Sequence, residues 1–129
     1  MLRTYSKNIT ATANTPIPFN VDKINIGSSV KHPTSTNINV YRPGYYIVTL
    51  DVSFTGTAGL TSIQLYADGV AIPDAIITTT IVADSYSDCS FKTIIKANRG
   101  NLTENVTLTV VPTADLTISN IALGVNRVA

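Results

Sequence analysis

The stretch INVYRPGYYIVTLDVSF, residues 38–54, carries a Pro-Gly pair at 43–44 and then a run in which two kinds of residue take turns. Tyr46, Val48, Leu50, Val52 and Phe54 alternate with Tyr45, Ile47, Thr49, Asp51 and Ser53. A period of two is the mark of a strand buried on one face, so the first set faces a core. Pro43 and Gly44 suit the two central positions of a type II turn, which makes TNINVY (36–41) the strand that enters it. The second set should be polar, and Tyr45 and Ile47 break that rule. Two large apolar side chains on the water side of a core strand are what the rest of the chain must explain.

Outward from this stretch, residues between turn signals are dominated by Val, Ile, Thr, Tyr and Phe, and no useful length shows helical periodicity. The pattern predicts an all-β protein. LRTYSKNITA (2–11) reads as a first strand, and NTPIPFNV (14–21) as an edge segment because proline cannot donate to a ladder. SSVKHP is a short edge piece. GLTSIQLYADG (59–69) follows the central strand, with Ile63, Leu65 and Ala67 inward and Asp68-Gly69 turning toward VAIP. AIITTTIVA (75–83) and YSDCSFKTIIKA (86–97) come next, the latter with Cys89, Phe91, Thr93 and Ile95 inward, and NRGN is a loop. NVTLTVVP (105–112) alternates Val106, Leu108 and Val110. In DLTISNIALGVNRV (115–128) the inward parity passes from Leu116 and Ile118 to Ile121, Leu123 and Val125. That slip predicts a bulge near Asn120. About eight main strands and two short edge pieces are spaced as in a sandwich, with no linker or repeat to divide them, so residues 1–129 are expected to form one domain.

The chain is 44% hydrophobic and only 13% charged, about half the usual charged share, with Thr and Asn in place of Lys and Glu. Such a surface does little to oppose self-association. Nine basic residues against eight acidic ones leave a net charge of +1 with no run of either sign. Nucleic-acid binding lacks its electrostatic footprint. One cysteine, Cys89, excludes an intrachain disulfide framework. The N-terminal residues contain no apolar core of signal-peptide length, and no segment approaches a membrane span, so a soluble product with no membrane insertion is expected.

A strand, a PGYY turn and a long alternating strand closing with VSF resemble the signature of the jelly rolls shared by tumour necrosis factor and the globular head of complement's first component. The bacterial and bacteriophage members of that superfamily, including tip domains of collagen-like spore-surface glycoproteins, are the more similar. The resemblance in order and spacing runs from TYSKNITATANTPIPF to LTISNIALGVNRVA. It implies a ten-stranded, two-sheet jelly-roll β-sandwich that assembles as a homotrimer. It also implies an axis lined by the sheet that holds the strand after the Pro-Gly turn and the strand at 86–97.

The same parity that turns Lys92 and Lys96 outward turns Ile94 outward too. Tyr45, Ile47 and Ile94 would be an exposed apolar patch in a monomer, and soluble monomers rarely carry large ones. Contact around a threefold axis would cover it. At roughly 25 cal/mol per Å² of apolar area, three copies favour assembly by several kcal/mol before association entropy is subtracted. Scattered surface apolar residues are the competing reading.

Catalytic constellations are missing. The one histidine, His32, stands beside Pro33 in an edge segment without a Gly-x-Ser-x-Gly elbow elsewhere, and is expected to be a solvated loop residue. Cys89 reads as a small core residue with nothing near it in sequence to lower its pKa. One Cys and one His cannot build a zinc site within one chain. The acidic residues, with Glu104 the one glutamate, fall mostly at turns, where they make local hydrogen bonds. Asp84 and Asp88 are calcium candidates only if other oxygen ligands join them. The Asn-x-Thr sequons at Asn8, Asn101 and Asn105 arise readily in a chain this rich in Asn and Thr. Tyr5, Tyr41, Tyr66 and Tyr86 fall near strand ends or outward positions, where aromatic faces beside neutral polar groups serve sugar binding or simple cross-strand packing.

The sequence-based expectation is therefore a non-enzymatic trimeric surface module with no cofactor. Its first reading is a bacteriophage virion protein, a capsid decoration or fibre-head component on the virion surface. Its partners are then itself, other virion or surface proteins, and glycans. The alternative is a stand-alone carbohydrate- or receptor-binding domain at a bacterial spore or cell surface. The chain begins almost at its first strand, so attachment is expected through the trimer's own surface or its first few residues.

Overall fold

The computed structural model describes residues 1–27, 29–97 and 106–128. Its strands are β1 (Leu2–Ala11), β2 (Val21–Asn25), β3 (Val30–Lys31), β4 (Ile38–Val40), β5 (Gly44–Gly56), β6 (Gly59–Ala67), β7 (Val70–Ile81), β8 (Ser87–Ala97), β9 (Val106–Pro112) and β10 (Leu116–Arg127). They form two five-stranded sheets. One has the order β2-β1-β10-β5-β8 and the other β3-β4-β9-β6-β7. Every described pairing is antiparallel, and the chain crosses between sheets five times from β4 to β10, which is the jelly-roll form of a sandwich.

The core face of β5 is the one the alternation predicts: Tyr46, Val48, Leu50, Val52 and Phe54 are all buried. They share one cluster with Ile38, Val40, Ile63, Leu65, Leu108 and Val110 of the facing sheet. Each such side chain stabilises the fold by about 1.5–3 kcal/mol relative to exposure. Asp68 and Gly69 take φ of 50° and 79°, the pair of positive values a type I′ hairpin requires. The bulge lies where the parity slips: Ile118 pairs with Phe54 and Asn120 with Ser53, leaving Ser119 extra. β1 changes parity in the same row, at Asn8 (φ 53°), with Leu2, Thr4 and Ser6 buried before it and Ala11 after it. The two slips keep the inner face buried across neighbouring strands.

Several expectations need correction. The Pro-Gly turn is not closed in type II fashion: Gly44 has φ 144°, and the Arg42 carbonyl accepts the Tyr46 phenol at 2.7 Å. Arg127 donates to the Pro43 carbonyl at 3.0 and 3.2 Å, tying this bend to the end of β10. Residues 14–20 form no strand. They run over the open side of the core, burying Ile17 and Phe19 while their amides donate to Val110 and Ser35 carbonyls. Strand β2 follows them unannounced.

β7 starts at Val70, earlier than expected, and carries Pro73 through a register break. The Gln64 amide spans that break, donating to the carbonyls of Ile72 (2.6 Å), Ala75 (3.1 Å) and Leu65 (3.2 Å). The expected loop at 98–101, Glu104, and the sequons at Asn101 and Asn105 lie outside the described residues, as does the first residue of the expected strand 105–112.

A side-chain contact joins the two sheets along each long edge. Thr93 of β8 donates to Asp74 of β7 at 3.0 Å. On the other edge, His32, just past β3, places Nδ1 2.6 Å from Asp22 of β2 and Nε2 3.3 Å from the Ser35 carbonyl. Its side chain is only 6% exposed, so it is a buried tie and not the solvated residue expected. Both partners are acceptors, so the two bonds coexist only with a proton on each ring nitrogen.

Candidate functional site

The outer face of the β2-β1-β10-β5-β8 sheet is read best as rows across the strands. Nearest the Pro-Gly bend, Tyr45 pairs with Lys96, and the next outward row is Asn126, Ile47 and Ile94. Ile47 and Ile94 are thus direct cross-strand neighbours. Tyr45 is 45% exposed and Ile94 62%, with Ile47 half-buried between them. Val128 adds to the patch, its amide donating to the Tyr45 carbonyl at 2.8 Å, and the Lys96 ammonium stands 5.8 Å from the Tyr45 ring centroid. The three residues singled out from parity form one contiguous surface on the sheet to which both strands belong.

Farther along the face the chemistry changes. The next row is Arg3, Gly124, Thr49 and Lys92, followed by Tyr5, Ala122, Asp51 and Ser90. Arg3 crosses β10 to bring its Nη2 within 3.8 Å of Asp51. Gly124 makes room for it: a Cβ there would stand 2.9 Å from Thr49 Oγ1 and 3.3 Å from Arg3 Nη1. Small residues at 122 and 124 therefore leave a trough down the middle of the face. A depression of about 480 Å³ opens on the β1 side beside Arg3, Tyr5, Lys7 and Lys23, and one of about 270 Å³ on the β8 side beside Asp51, Asp88 and Ser90. Sequence parity on β1 held the signal for this half, since Arg3, Tyr5 and Lys7 alternate with buried residues. Their partners lie more than forty residues away, and so were missed.

Among the described residues, nothing on this face assembles a nucleophile and base. Cys89 is half-buried on β8, and burial together with nearby Asp88 pushes its thiol pKa up, away from the reactive thiolate. His32 contacts β2, at the opposite edge of the sheet, roughly four inter-strand steps of about 4.8 Å away. Asp84, in the β7–β8 connection with φ 66°, lines a depression with Asp115, whereas Asp88 lines another. Among the described residues, no three His, Cys, Asp or Glu side chains are grouped to hold a metal ion.

The tyrosines separate. Tyr66 pairs with Thr109 and Asn39 with Thr107, so Tyr66, Asn39 and Tyr41 share the outer face of the second sheet; Asn39 donates to the Tyr41 hydroxyl at 3.3 Å, and Tyr66 lies two strands away in another row. Asn39 Oδ1 is buried there without a hydrogen-bond partner among the described residues. Tyr86 is exposed beside the β7–β8 connection, at the other end of the sandwich. Tyr5 belongs to the first sheet, in the groove described above.

No protein-family model matches the sequence, and no curated protein does. Solved structures do match the fold over almost the whole chain. The globular domain of zebrafish complement 1qA superposes with a TM-score of 0.77 at 11% identity, covering 99% of this chain and 96% of its own. Eiger TNF from S. frugiperda gives 0.73 at 12% identity, covering 99% and 92%. The PRD1 vertex protein P5 gives 0.61 at 12% identity, covering 95% and 93%. The chain is thus an all-β sandwich of the jelly-roll type found in complement and tumour-necrosis-factor domains. Among the described residues there is no helix long and apolar enough to cross a membrane.

Proposed function

We propose that the chain is a non-enzymatic module that works as a homotrimer, with the outer face of the β2-β1-β10-β5-β8 sheet turned toward the threefold axis. The observation that carries this is the contiguity of Tyr45, Ile47 and Ile94 on that face. A contiguous apolar surface is stable in water when another surface covers it. Among its structural neighbours, a complement head and a vertex protein are consistent with assembly at the outside of a larger structure. The trimer is a virion surface component of a bacteriophage, a capsid decoration or fibre head, serving assembly, particle stability or adhesion through contacts with other virion proteins. Co-purification tests the placement. The chain should band with particles in a density gradient of lysate from the cells that make it; recovery only as free protein from a lysate rich in particles overturns the virion role.

The Asn39–Tyr41 contact, on an outer face that also carries Tyr66, favours a second reading, a carbohydrate-binding surface at a spore or cell exterior. Binding on a glycan array that is lost in Tyr66→Ala supports it, and an array without signal removes it.

A further inference from the structure

The trimer reading leaves the charged half of the same face without a role, and the strand register supplies one. One row runs Lys7 (β1), Asn120 (β10), Ser53 (β5) and Asp88 (β8). Its ends carry opposite charge, and both are exposed. They stand three inter-strand steps apart, roughly 14 Å, beyond ion-pair reach within one chain. Among the described residues neither makes a salt bridge. The basic end opens on the groove beside Tyr5 and Lys23, where Asp22, the acidic group lining it, is engaged by His32. The acidic end opens on the depression that Asp88 shares with Ser90 and Asp51.

A threefold contact is heterologous, one part of a surface meeting a different part of the next copy. With the axis along the strands, rotation preserves height, so the β8 end of a row meets the β1 end of the same row in the neighbour. We infer that Asp88 of each copy pairs with Lys7 of the next, with Lys23 adding to the positive groove, and that this ring of three ion pairs sets the register of the trimer. The row of Arg3 and Lys92 has like charges at its ends, but Arg3 is already turned across Gly124 to Asp51, which removes the conflict. The apolar patch supplies cohesion, and the charged row selects which height meets which.

This rests on the trimer reading, and the experiment separates the two. Trimer dissociation is followed by sedimentation equilibrium at low and high salt for wild type, Lys7→Glu, Asp88→Lys and the double exchange. Each exposed pair is worth a factor of roughly two to five, so three copies predict a weakening of roughly ten- to a hundredfold in either single variant. The double exchange should restore affinity, and salt should weaken the wild type. A trimer indifferent to salt and to both single variants overturns the pairing and leaves the trimer standing, as does a Lys7→Glu trimer of full strength that has lost binding to a sulfated polysaccharide. A monomeric wild type overturns both.

Discussion

Replacing Ile94 with Asp puts a carboxylate at the most exposed position of the apolar patch while leaving the sandwich interior untouched. Full burial of an isoleucine side chain is worth about 1.5–3 kcal/mol. Ile94 keeps 62% of its surface in the isolated chain, so covering it in a trimer contributes about 1–2 kcal/mol per copy. Three copies give about 3–6 kcal/mol, or roughly two to four decades in the trimer dissociation constant, before the added penalty of covering a charge. Sedimentation equilibrium across a thousandfold range of concentration resolves a change of that size, and far-UV circular dichroism on the same samples reports the fold. The expected result is a folded monomer at concentrations where wild type is trimeric. A folded Ile94→Asp protein that sediments like wild type refutes the reasoning, because the patch would then not lie in the contact.

Other consequences concern the fold that presents this face. Tyr46→Phe removes the phenol that caps the Arg42 carbonyl from inside the core, and should cost about 0.5–1.5 kcal/mol in urea unfolding. Gln64→Ala strips the β7 bulge of its shared donor and leaves the Ile72 and Ala75 carbonyls short of partners, with an expected loss of about 1–3 kcal/mol by the same assay. For Asp22, burial would raise the pKa, but hydrogen bonds from His32, Thr4 and Asn25 and the charge of His32 outweigh it and hold the carboxyl below its ordinary 3.8. A lowered folded-state pKa gives stability that is complete above the unfolded value and fades as pH falls through 3.8 toward the folded one. The gap between wild type and Asp22→Asn, no more than about 1 kcal/mol for a carboxylate this accessible, should therefore be present at pH 7 and close in acid, as read from urea midpoints.

The parts of the fold legible in the sequence are those where one face is buried and the other wet. β5 is the clearest, because each inward residue from Tyr46 to Phe54 is aromatic or aliphatic and the turn residues precede it. The bulge in β10 was legible as a change of parity, whereas its partner slip at Asn8 was hidden by buried Thr4 and Ser6, which do not look like core. β2 has no alternation to read, since all but Ile24 of its residues are exposed. Ile17 and Phe19 reach the core from irregular chain, held by backbone bonds to Val110 and Ser35 that local pattern cannot encode. His32 looked solvated because its partner, Asp22, sits on that unread strand. At the candidate site, parity alone located Tyr45, Ile47 and Ile94. The Arg3–Asp51 contact across Gly124 required knowing that β10 lies between β1 and β5.

The account turns on whether this sheet face meets copies of itself, and the mass of the wild-type protein in dilute buffer measures that directly. Sedimentation equilibrium at micromolar concentration should return three times the 13.7 kDa of one chain. A single, monodisperse species at 13.7 kDa would contradict it.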